Sequence, residues 1–460
     1  MAQIILRPYQ QKIIDETREA FNQGIKSVLI QLRTGGGKTA IAAYIIKGCS
    51  QANNLVWFCC HRKELVYQTS EALKKMDIKH SFIAAGMPYD KNINVQVCSV
   101  PTIINRYDKL PKPDWILWDE THLIGAKTWR DLFKSNDQAR HIGLSATPIR
   151  TNEGGLGEFY NKMVRGPEYE TLVNNGYLSQ YKAFAAVEPD LKGIKTVMGD
   201  YATGALELEM SKPTLVGSAV REYLKHASGK SAVVFAVNVS HSKLIMNEFL
   251  KAGIPARHVD GVTDHNDRDR LIKDFKDKKF LVLCNVNLLS TGFDFPGIEV
   301  CIMLRPTKSL SLYLQQIGRA LRPAPNKEFA IILDHAGNLK QHGLPDDVHE
   351  WSLDKQKKKS LTKSDGSVKI CNVCYAANES FNLVCNNCSN VFEVKQRAGP
   401  EQVDGDLQEI DKLEFSKQKK KEQSAARTLE QLMELGKARG YKNPRYWAEC
   451  VMKSRGGRGR

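Results

Sequence analysis

The stretch Thr34-Gly35-Gly36-Gly37-Lys38-Thr39 lies between an apolar run, Ser27 to Leu32, and the helical pattern Ala40 to Lys47. A strand, a glycine-rich loop and a helix in this order direct backbone N–H groups and the helix N-terminus toward one anion. We predict a phosphate-binding loop in which Lys38 reaches the phosphates of a nucleotide and the Thr39 hydroxyl ligates Mg²⁺. The usual pattern has glycine where this chain has Leu32, so a tight structural turn is the alternative.

An acidic pair forms the second candidate group. Asp119 and Glu120 follow the apolar run Trp115 to Trp118, which predicts a strand. Ligands of open α/β sheets bind at the carboxyl ends of strands. Asp119 would hold Mg²⁺, and Glu120 would orient and deprotonate an attacking water. A merely solvated acidic pair is the alternative.

Apolar runs alternate with helix-length stretches in two parts of the chain, which indicates two α/β lobes with parallel sheets. The predicted strands of the first lobe are Ser27 to Leu32, Leu55 to Cys60, Val95 to Ser99, Trp115 to Trp118 and Ile142 to Leu144. Those of the second lobe are Ala232 to Ala236, Phe280 to Cys284, Val300 to Leu304 and Phe329 to Leu333. We therefore divide the chain into a first lobe (1–170), a connection (171–210), a second lobe (211–345), a linker (346–369), a cysteine module (370–392) and a basic, partly helical tail (393–460).

The charge of the chain favours polyanionic partners. Its 460 residues are more than one hydrophobic core usually supports, and the net charge is +16 with a pI near 9.2. Nucleic acid is therefore the first partner to test, with a solvated basic surface or anionic lipid as alternatives.

The N-terminus lacks the features of a signal peptide, and no apolar run approaches the length of a membrane span. We expect a cytoplasmic protein.

Four of the 11 cysteines are spaced as Cys371-x2-Cys374-x10-Cys385-x2-Cys388. Two close pairs of thiolates suit tetrahedral Zn²⁺. The other cysteines are scattered, which is typical of a reducing compartment. We predict a small zinc ribbon or knuckle stabilised largely by its metal, with disulfides or inert thiols as the alternative. Its partner could be DNA, RNA or protein.

The loop and the acidic pair, together with Ser145-Ala146-Thr147, resemble motifs I, II and III of the superfamily 2 helicases of the DEAD/DEAH-box type. Further similar motifs are Leu6 to Gln10 (the adenine motif), His61 to Leu65 (Ia), Val100 to Thr102 (Ib), Ser290 to Asp294 (V) and Gln315 to Arg322 (VI). Several of these pieces look most like the RadD-like DNA-repair ATPases of bacteria and related phage helicases. In that group a residue such as Leu32 is usual, and zinc modules follow the motor.

The resemblance implies two tandem RecA-like domains that hydrolyse ATP between them. Arg319 and Arg322, three residues apart on one predicted helix face, would reach the γ-phosphate from the second lobe. A basic helix face on the surface is the alternative. The other implied positions are Arg7, Gln10, Thr34, Gly35, Gly36, Gly37, Asp294 and Gln315 for ATP, Arg62, Thr102 and Thr291 for nucleic acid, and His122, Ser145 and Thr147 for coupling.

Our leading hypothesis is therefore an ATP-dependent helicase or translocase that acts on DNA in replication, recombination or repair. A replication or repair protein could bind the zinc module or the tail. An RNA helicase is the near alternative. A third hypothesis is a nucleic-acid-binding sensor that uses ATP only as a switch and does not separate strands.

Overall fold

The computed structural model describes residues 5–149, 155–185, 189–197, 199–286, 295–354, 368–392, 421–441 and 443–456. The chain forms two compact units, Met1–Glu393 and Val394–Arg460. Within the described ranges, no helix is both long enough and apolar enough to cross a bilayer.

The first lobe is a seven-stranded sheet in which all neighbouring strands are parallel, in the order β3-β4-β2-β5-β6-β1-β7. Its strands are Ser27–Gln31 (β1), Val56–Cys60 (β2), Ser81–Ile83 (β3), Val95–Ser99 (β4), Trp115–Asp119 (β5), Arg140–Ser145 (β6) and Lys162–Arg165 (β7). Its helices are Pro8–Asn22 (α1), Lys38–Gln51 (α2), Lys63–Lys75 (α3), Val100–Arg106 (α4) and Lys127–Lys134 (α5). The central strands β1 and β2 are buried along their whole length, because elements cover both faces of the sheet.

The second lobe is a six-stranded parallel sheet in the order β12-β13-β11-β14-β15-β8. Its strands are Gln180–Ala185 (β8), Ala232–Phe235 (β11), Ala256–Val259 (β12), Val282–Asn285 (β13), Val300–Met303 (β14) and Phe329–Asp334 (β15); a small hairpin, Thr196–Val197 (β9) and Asp200–Tyr201 (β10), precedes it. Its helices are Tyr169–Asn174 (α6), Thr203–Met210 (α7), Pro213–Ala227 (α8), Val239–Lys251 (α9), His265–Lys276 (α10), Leu310–Ala320 (α11) and Asn338–His342 (α12). These two parallel sheets confirm the predicted α/β architecture with two RecA-like lobes.

The predicted connection, 171–210, is wrong over Gln180–Ala185. This segment is the edge strand β8 of the second sheet and pairs with β15 from Phe329↔Gln180 to Asp334↔Ala185. Gln180 and Lys182 point to solvent, as an edge position allows, and their polarity hid the strand from a search for apolar runs.

The cysteine module extends the edge of the second sheet. Lys369–Ile370 (β16) pairs antiparallel with Ala377–Asn378 (β17). The Ala185 N–H donates to the Tyr375 carbonyl at 3.0 Å, and Phe184 forms a bridge with Ala376. The module therefore covers the exposed edge of β8 at its carboxyl end.

The predicted linker, 346–369, is wrong over 346–354, and 355–367 lies outside the described residues. Trp351 is only 4% exposed, and its carbonyl accepts a hydrogen bond from Arg165. The Leu353 carbonyl accepts one from the Gly157 N–H at 2.8 Å. This stretch therefore returns from the second lobe and packs on the first, and we call residues 344–354 the return segment.

The C-terminal unit contains two packed helices, Leu429–Ala438 and Pro444–Gly456. Leu432, Ala448 and Val451 form its core, with Trp447 packed against them. Helical composition predicted a helix from about 411 to 437; its first ten residues lie outside the described part, and the observed helix covers the end of it.

Candidate functional site

The glycine-rich loop joins the carboxyl end of β1 to α2. Gly35 and Gly37 have φ angles of +86° and +85°, a conformation that favours glycine. A Cβ atom on Gly37 would also lie 2.4 Å from Nε2 of Gln10. Gly37 is the N-cap of α2, so the loop leads directly into a helix N-terminus. The loop thus has the backbone geometry of an anion cradle.

Leu32 fits before the loop because two glycines leave space for its side chain. A Cβ atom on Gly36 would lie 2.7 Å from Leu32 Cγ, and one on Gly166 would lie 2.4 Å from Leu32 Cδ1. Leu32 itself is fully buried in the core of the first lobe. The irregular position is therefore a packing feature beneath the loop.

The first turn of α1 holds the loop from one side. The Tyr9 hydroxyl donates to the Gly36 carbonyl at 2.6 Å, and Gln10 Nε2 donates to the same carbonyl at 3.2 Å. Gln10 Oε1 accepts from the Arg7 N–H at 2.9 Å. Both the oxygen and the nitrogen of the Gln10 amide are therefore hydrogen-bonded to the protein backbone. We had expected this amide to contact adenine. The Arg7 guanidinium stacks on the ring of Tyr177, 4.3 Å from its centre.

The acidic pair lies at the end of β5, two strands from β1. Glu120 has φ +50° and ψ +51°, a left-handed conformation that is uncommon for a residue with a side chain. Burial raises the pKa of the Asp119 carboxyl, and the Glu120 carboxylate raises it further, against the attraction of Lys38. Burial also raises the pKa of Glu120, but Lys38 and His122 lower it by more. The proton is favoured on Asp119 and the negative charge on Glu120.

A chain of polar contacts leads from Glu120 to the second lobe. His122 Nδ1 lies 3.3 Å from Glu120 Oε2 and 3.3 Å from Ser145 Oγ. Ser145 Oγ accepts from the Thr147 N–H at 3.1 Å. The Thr147 hydroxyl then donates to Ser311 Oγ, at the start of α11, at 2.6 Å. The three predicted coupling residues therefore lie in one hydrogen-bonded line, and Ser311 was missed because no motif marks it.

Helix α11 carries Gln315 and Arg319 and lies against the glycine-rich loop. The prediction that Arg322 shares this helix face is wrong, because the helix ends at Ala320 and Arg322 lies two residues beyond it. A Cβ atom on Gly318 would be 2.5 Å from Cβ of Thr34, and one on Gly35 would be 3.5 Å from Cγ of Arg322. Arg319 and Gln315 are 5% and 6% exposed on the same helix, which excludes the alternative of a basic surface face for Arg319. The structure thus brings motif VI to the loop.

Lys327 fixes the end of α11. Its ammonium donates to the carbonyls of Ile298 and Arg322, both at 2.7 Å, and to that of Ala320. Burial lowers the pKa of Lys327 to about 7. Two of these carbonyls lie at or just beyond the C-terminus of α11, so Lys327 holds the backbone that carries Arg322 against the stretch before β14. No sequence motif pointed to Lys327.

Arg33, immediately before the loop, binds the return segment. Its guanidinium donates to the carbonyls of Pro345 and Asp347 and to the Glu168 carboxylate, each at 2.9 Å. The Arg33 side chain is 12% exposed. The loop is therefore tied to a stretch of chain that follows the second lobe, a contact that sequence reasoning could not find.

The predicted nucleic-acid contacts are only partly described. Arg62 is exposed at the N-cap of α3, whereas Thr102 on α4 is 9% exposed. Thr291 and Asp294, with the rest of the motif V sequence Ser290 to Asp294, lie outside the described residues.

The four predicted thiols form one cluster. The Sγ atoms of Cys371 and Cys388 are 3.7 Å apart, those of Cys374 and Cys385 are 3.6 Å apart, and all four lie within 4.8 Å. A zinc–sulfur distance of about 2.3 Å in a tetrahedron separates sulfurs by about 3.8 Å. Burial raises the pKa of Cys385, but the N–H groups of Cys388 and Asn387 lower it by more, to about 6. The cluster fits a zinc knuckle, and all 11 cysteines are free thiols.

Comparisons with known proteins agree with this site. The family described as type III restriction enzyme, res subunit, matches residues 3–150, and the helicase conserved C-terminal domain matches residues 216–324. The 51.5 kDa protein of a Lactococcus phage is 33% identical over 90% of this chain and 89% of that protein. IRC3 of Saccharomyces cerevisiae, whose name assigns it to the ATP-dependent helicases, is 32% identical over 72% of this chain.

The chain spans 52% of the length of IRC3. The restriction-modification enzyme LlaBIII, solved bound to DNA, has a similar fold, with a TM-score of 0.54 and 17% identity over 71% of this chain and 27% of that one. Both family matches fall on the lobes that carry the loop, the acidic pair and α11. The chain therefore belongs to the superfamily 2 helicases of the DEAD/DEAH-box type, and it is an ATP-dependent nucleic-acid helicase or translocase.

Proposed function

We propose that the chain is a DNA-stimulated motor of replication, recombination or repair that hydrolyses ATP between its two lobes. The observation that carries this proposal is the 2.6 Å hydrogen bond from Thr147 to Ser311, because it links the acidic pair to the helix that bears Arg319 and is followed directly by Arg322. A second lobe that meets the phosphate loop through arginines is what a motor driven by lobe closure requires.

The first lobe binds ATP and activates the attacking water. Lys38 and the N–H groups of the loop bind the phosphates, and Thr39 and Asp119 hold Mg²⁺. A buried carboxyl whose pKa is raised suits such a role, because a nearby divalent cation favours its ionised form. The metal supplies charge neutralisation at the phosphates. Glu120, kept ionised by Lys38 and His122, orients the attacking water and accepts its proton.

The second lobe completes the site. Arg319 and Arg322 neutralise charge that develops on the γ-phosphate, and a guanidinium can bind two of its oxygens at once. His122, Ser145 and Thr147 report the state of Glu120 to α11. Loss of the γ-phosphate weakens the hold of α11, so the lobes separate and shift along a bound strand.

DNA is the nucleic acid that the observations favour. The net charge of +16 suits any phosphate backbone. The N-terminal match is to a restriction-enzyme subunit, and LlaBIII was solved on DNA. We further propose that the cysteine cluster holds Zn²⁺ and that the protein acts in the cytoplasm.

The choice between hypotheses is tested by ATPase rates with single-stranded DNA, duplex DNA, forked DNA and RNA, beside a strand-displacement assay. We expect stimulation by DNA. Displacement of the annealed strand identifies a helicase, and stimulation without displacement identifies a translocase. Stimulation by RNA alone would contradict the DNA assignment.

The roles in the first lobe are tested by Lys38→Ala and Glu120→Gln. Lys38→Ala loses nucleotide binding, whereas Glu120→Gln binds ATP normally but turns over more slowly, by about 10²–10⁴-fold. Equilibrium binding and steady-state ATPase assays measure these effects. The matched control is Glu16→Gln, an exposed position on α1. Normal turnover by Glu120→Gln would refute the role of this carboxylate.

The metal proposal predicts one zinc ion per chain, measured by elemental analysis. Cys371→Ser and Cys385→Ser each lose the ion and unfold the module, because its fold depends on the metal. Cys450→Ser, an exposed cysteine outside the cluster, keeps it. A folded, metal-free preparation whose four cluster thiols are readily alkylated would exclude zinc.

A further inference from the structure

A cavity that opens to solvent lies in the second lobe, apart from the residues assigned to ATP. It opens at the carboxyl ends of β8 and β15, between α8 and the cysteine module. The residues that line it include Phe184, Ser218, Arg221, Glu222, His335 and Tyr375. Parallel sheets bind ligands at the carboxyl ends of their strands, so this position is one that ligands commonly occupy.

Two aromatic rings from different elements line the cavity. Phe184 comes from β8 and Tyr375 from the turn of the cysteine module. The His226 ring stacks on Phe184 with 4.0 Å between ring centres, which fixes the orientation of Phe184. Tyr375 is 45% exposed and offers stacking surface to a planar aromatic group, whereas Phe184 is 7% exposed and offers only the part of its ring that lines the cavity.

One wall carries a buried imidazole with one unpartnered ring nitrogen. His335 follows β15 directly and is 1% exposed, and its Nδ1 atom has no hydrogen-bond partner among the described residues. Burial lowers the pKa of His335 to about 4, so the ring is neutral at neutral pH and has one donor and one acceptor. A buried polar atom without a partner costs free energy, which a hydrogen-bonding ligand would recover.

The polar groups beside His335 extend this pattern. Glu222 lies 3.3 Å from His226 Nε2 and accepts from Arg221 Nε at 3.1 Å. The Arg221 side chain is 70% exposed, and its Nη2 also donates to Ser218 at 3.2 Å. The Lys225 ammonium lies 5.8 Å from the centre of the Tyr375 ring. Arg221 at the mouth of the cavity is paired with the Glu222 carboxylate, and Lys225 lies beside Tyr375. These two cations suit a phosphate next to the bound group.

We propose that this cavity binds a nucleobase, which stacks against Phe184 and Tyr375 and hydrogen-bonds to His335, with its phosphate near Arg221 and Lys225. The base comes either from a bound strand or from a free nucleotide. The proposal rests on the proposed function, since a nucleic-acid motor presents bases to this lobe. It gives the cysteine module a place in binding, because the module supplies one aromatic ring.

The direct test is photocrosslinking of the intact chain. The probes are a single-stranded oligodeoxynucleotide containing 5-iodouracil and free 5-iodo-dUMP, and adducts are located by mass spectrometry. We expect an adduct on Tyr375 or Phe184. An adduct from the oligonucleotide alone identifies a base within a strand, and one from the nucleotide identifies a free ligand. Neither probe labelling the cavity would overturn the proposal.

A cavity-filling variant gives an independent test. Ser218→Leu fills the cavity from α8. We expect it to weaken binding of whichever probe labels the cavity by about tenfold, which is the loss of roughly one stacked base. Ser228→Leu, exposed just beyond the end of the same helix, is the matched control. Binding by Ser218→Leu equal to wild type would overturn the proposal. Should this variant fold poorly, the adduct map of the wild type still decides.

The two proposals fail in different ways. If wild-type ATPase activity is stimulated by DNA but the cavity carries no adduct, the base-binding proposal is wrong and the motor assignment stands. If DNA neither binds nor stimulates, the proposed function is wrong. An adduct from 5-iodo-dUMP on the cavity would then still support a free-nucleotide site.

Discussion

The contact between α11 and the glycine-rich loop is the constraint on which the rest of the site depends. Gly318 lies so close to Thr34 that a methyl group on Gly318 would clash with it. This close approach lets the helix backbone rest on the loop and carries Arg319 and Arg322 toward the place where phosphates would bind. The hydrogen bond from Thr147 to Ser311 joins the lobes beside this contact. An ATP site that is divided between two lobes hydrolyses ATP only when both parts meet.

Several other contacts support this closure from a distance. Lys327 fixes the backbone at the end of α11. Arg33 ties the loop to the return segment, so the chain crosses between lobes at a second place besides the stretch between β7 and α6. Tyr9 and Gln10 hold the loop through the Gly36 carbonyl. The loop that contacts α11 is therefore held by hydrogen bonds on both sides. A change of the nucleotide bound to the loop can then move α11 instead of the loop.

Much of this arrangement could be predicted from local sequence. Strands such as Trp115–Asp119 have buried, apolar cores, and their ends carry the polar groups that bind ligands, so pattern and position both identify them. The cysteine spacing likewise determined a single cluster. The edge strand Gln180–Ala185 and the return segment were missed because their backbone order comes from partners far along the chain. Ser311 and Arg33 were missed because their contacts exist only when the lobes meet. Lys327 was missed because its carbonyl acceptors come from separate parts of the second lobe.

The most direct test of a composite ATP site is the turnover of Arg319→Ala. We expect the maximal ATPase rate in the presence of DNA to fall about 10³-fold or more, because the arginine acts mainly on charge that develops during phosphoryl transfer. Equilibrium affinity for ATP should change by less than about tenfold, since Lys38 and the loop bind ATP in the ground state. Arg270→Ala, an exposed arginine on α10, is the control. A maximal rate for Arg319→Ala within about twofold of wild type would contradict a site completed by the second lobe.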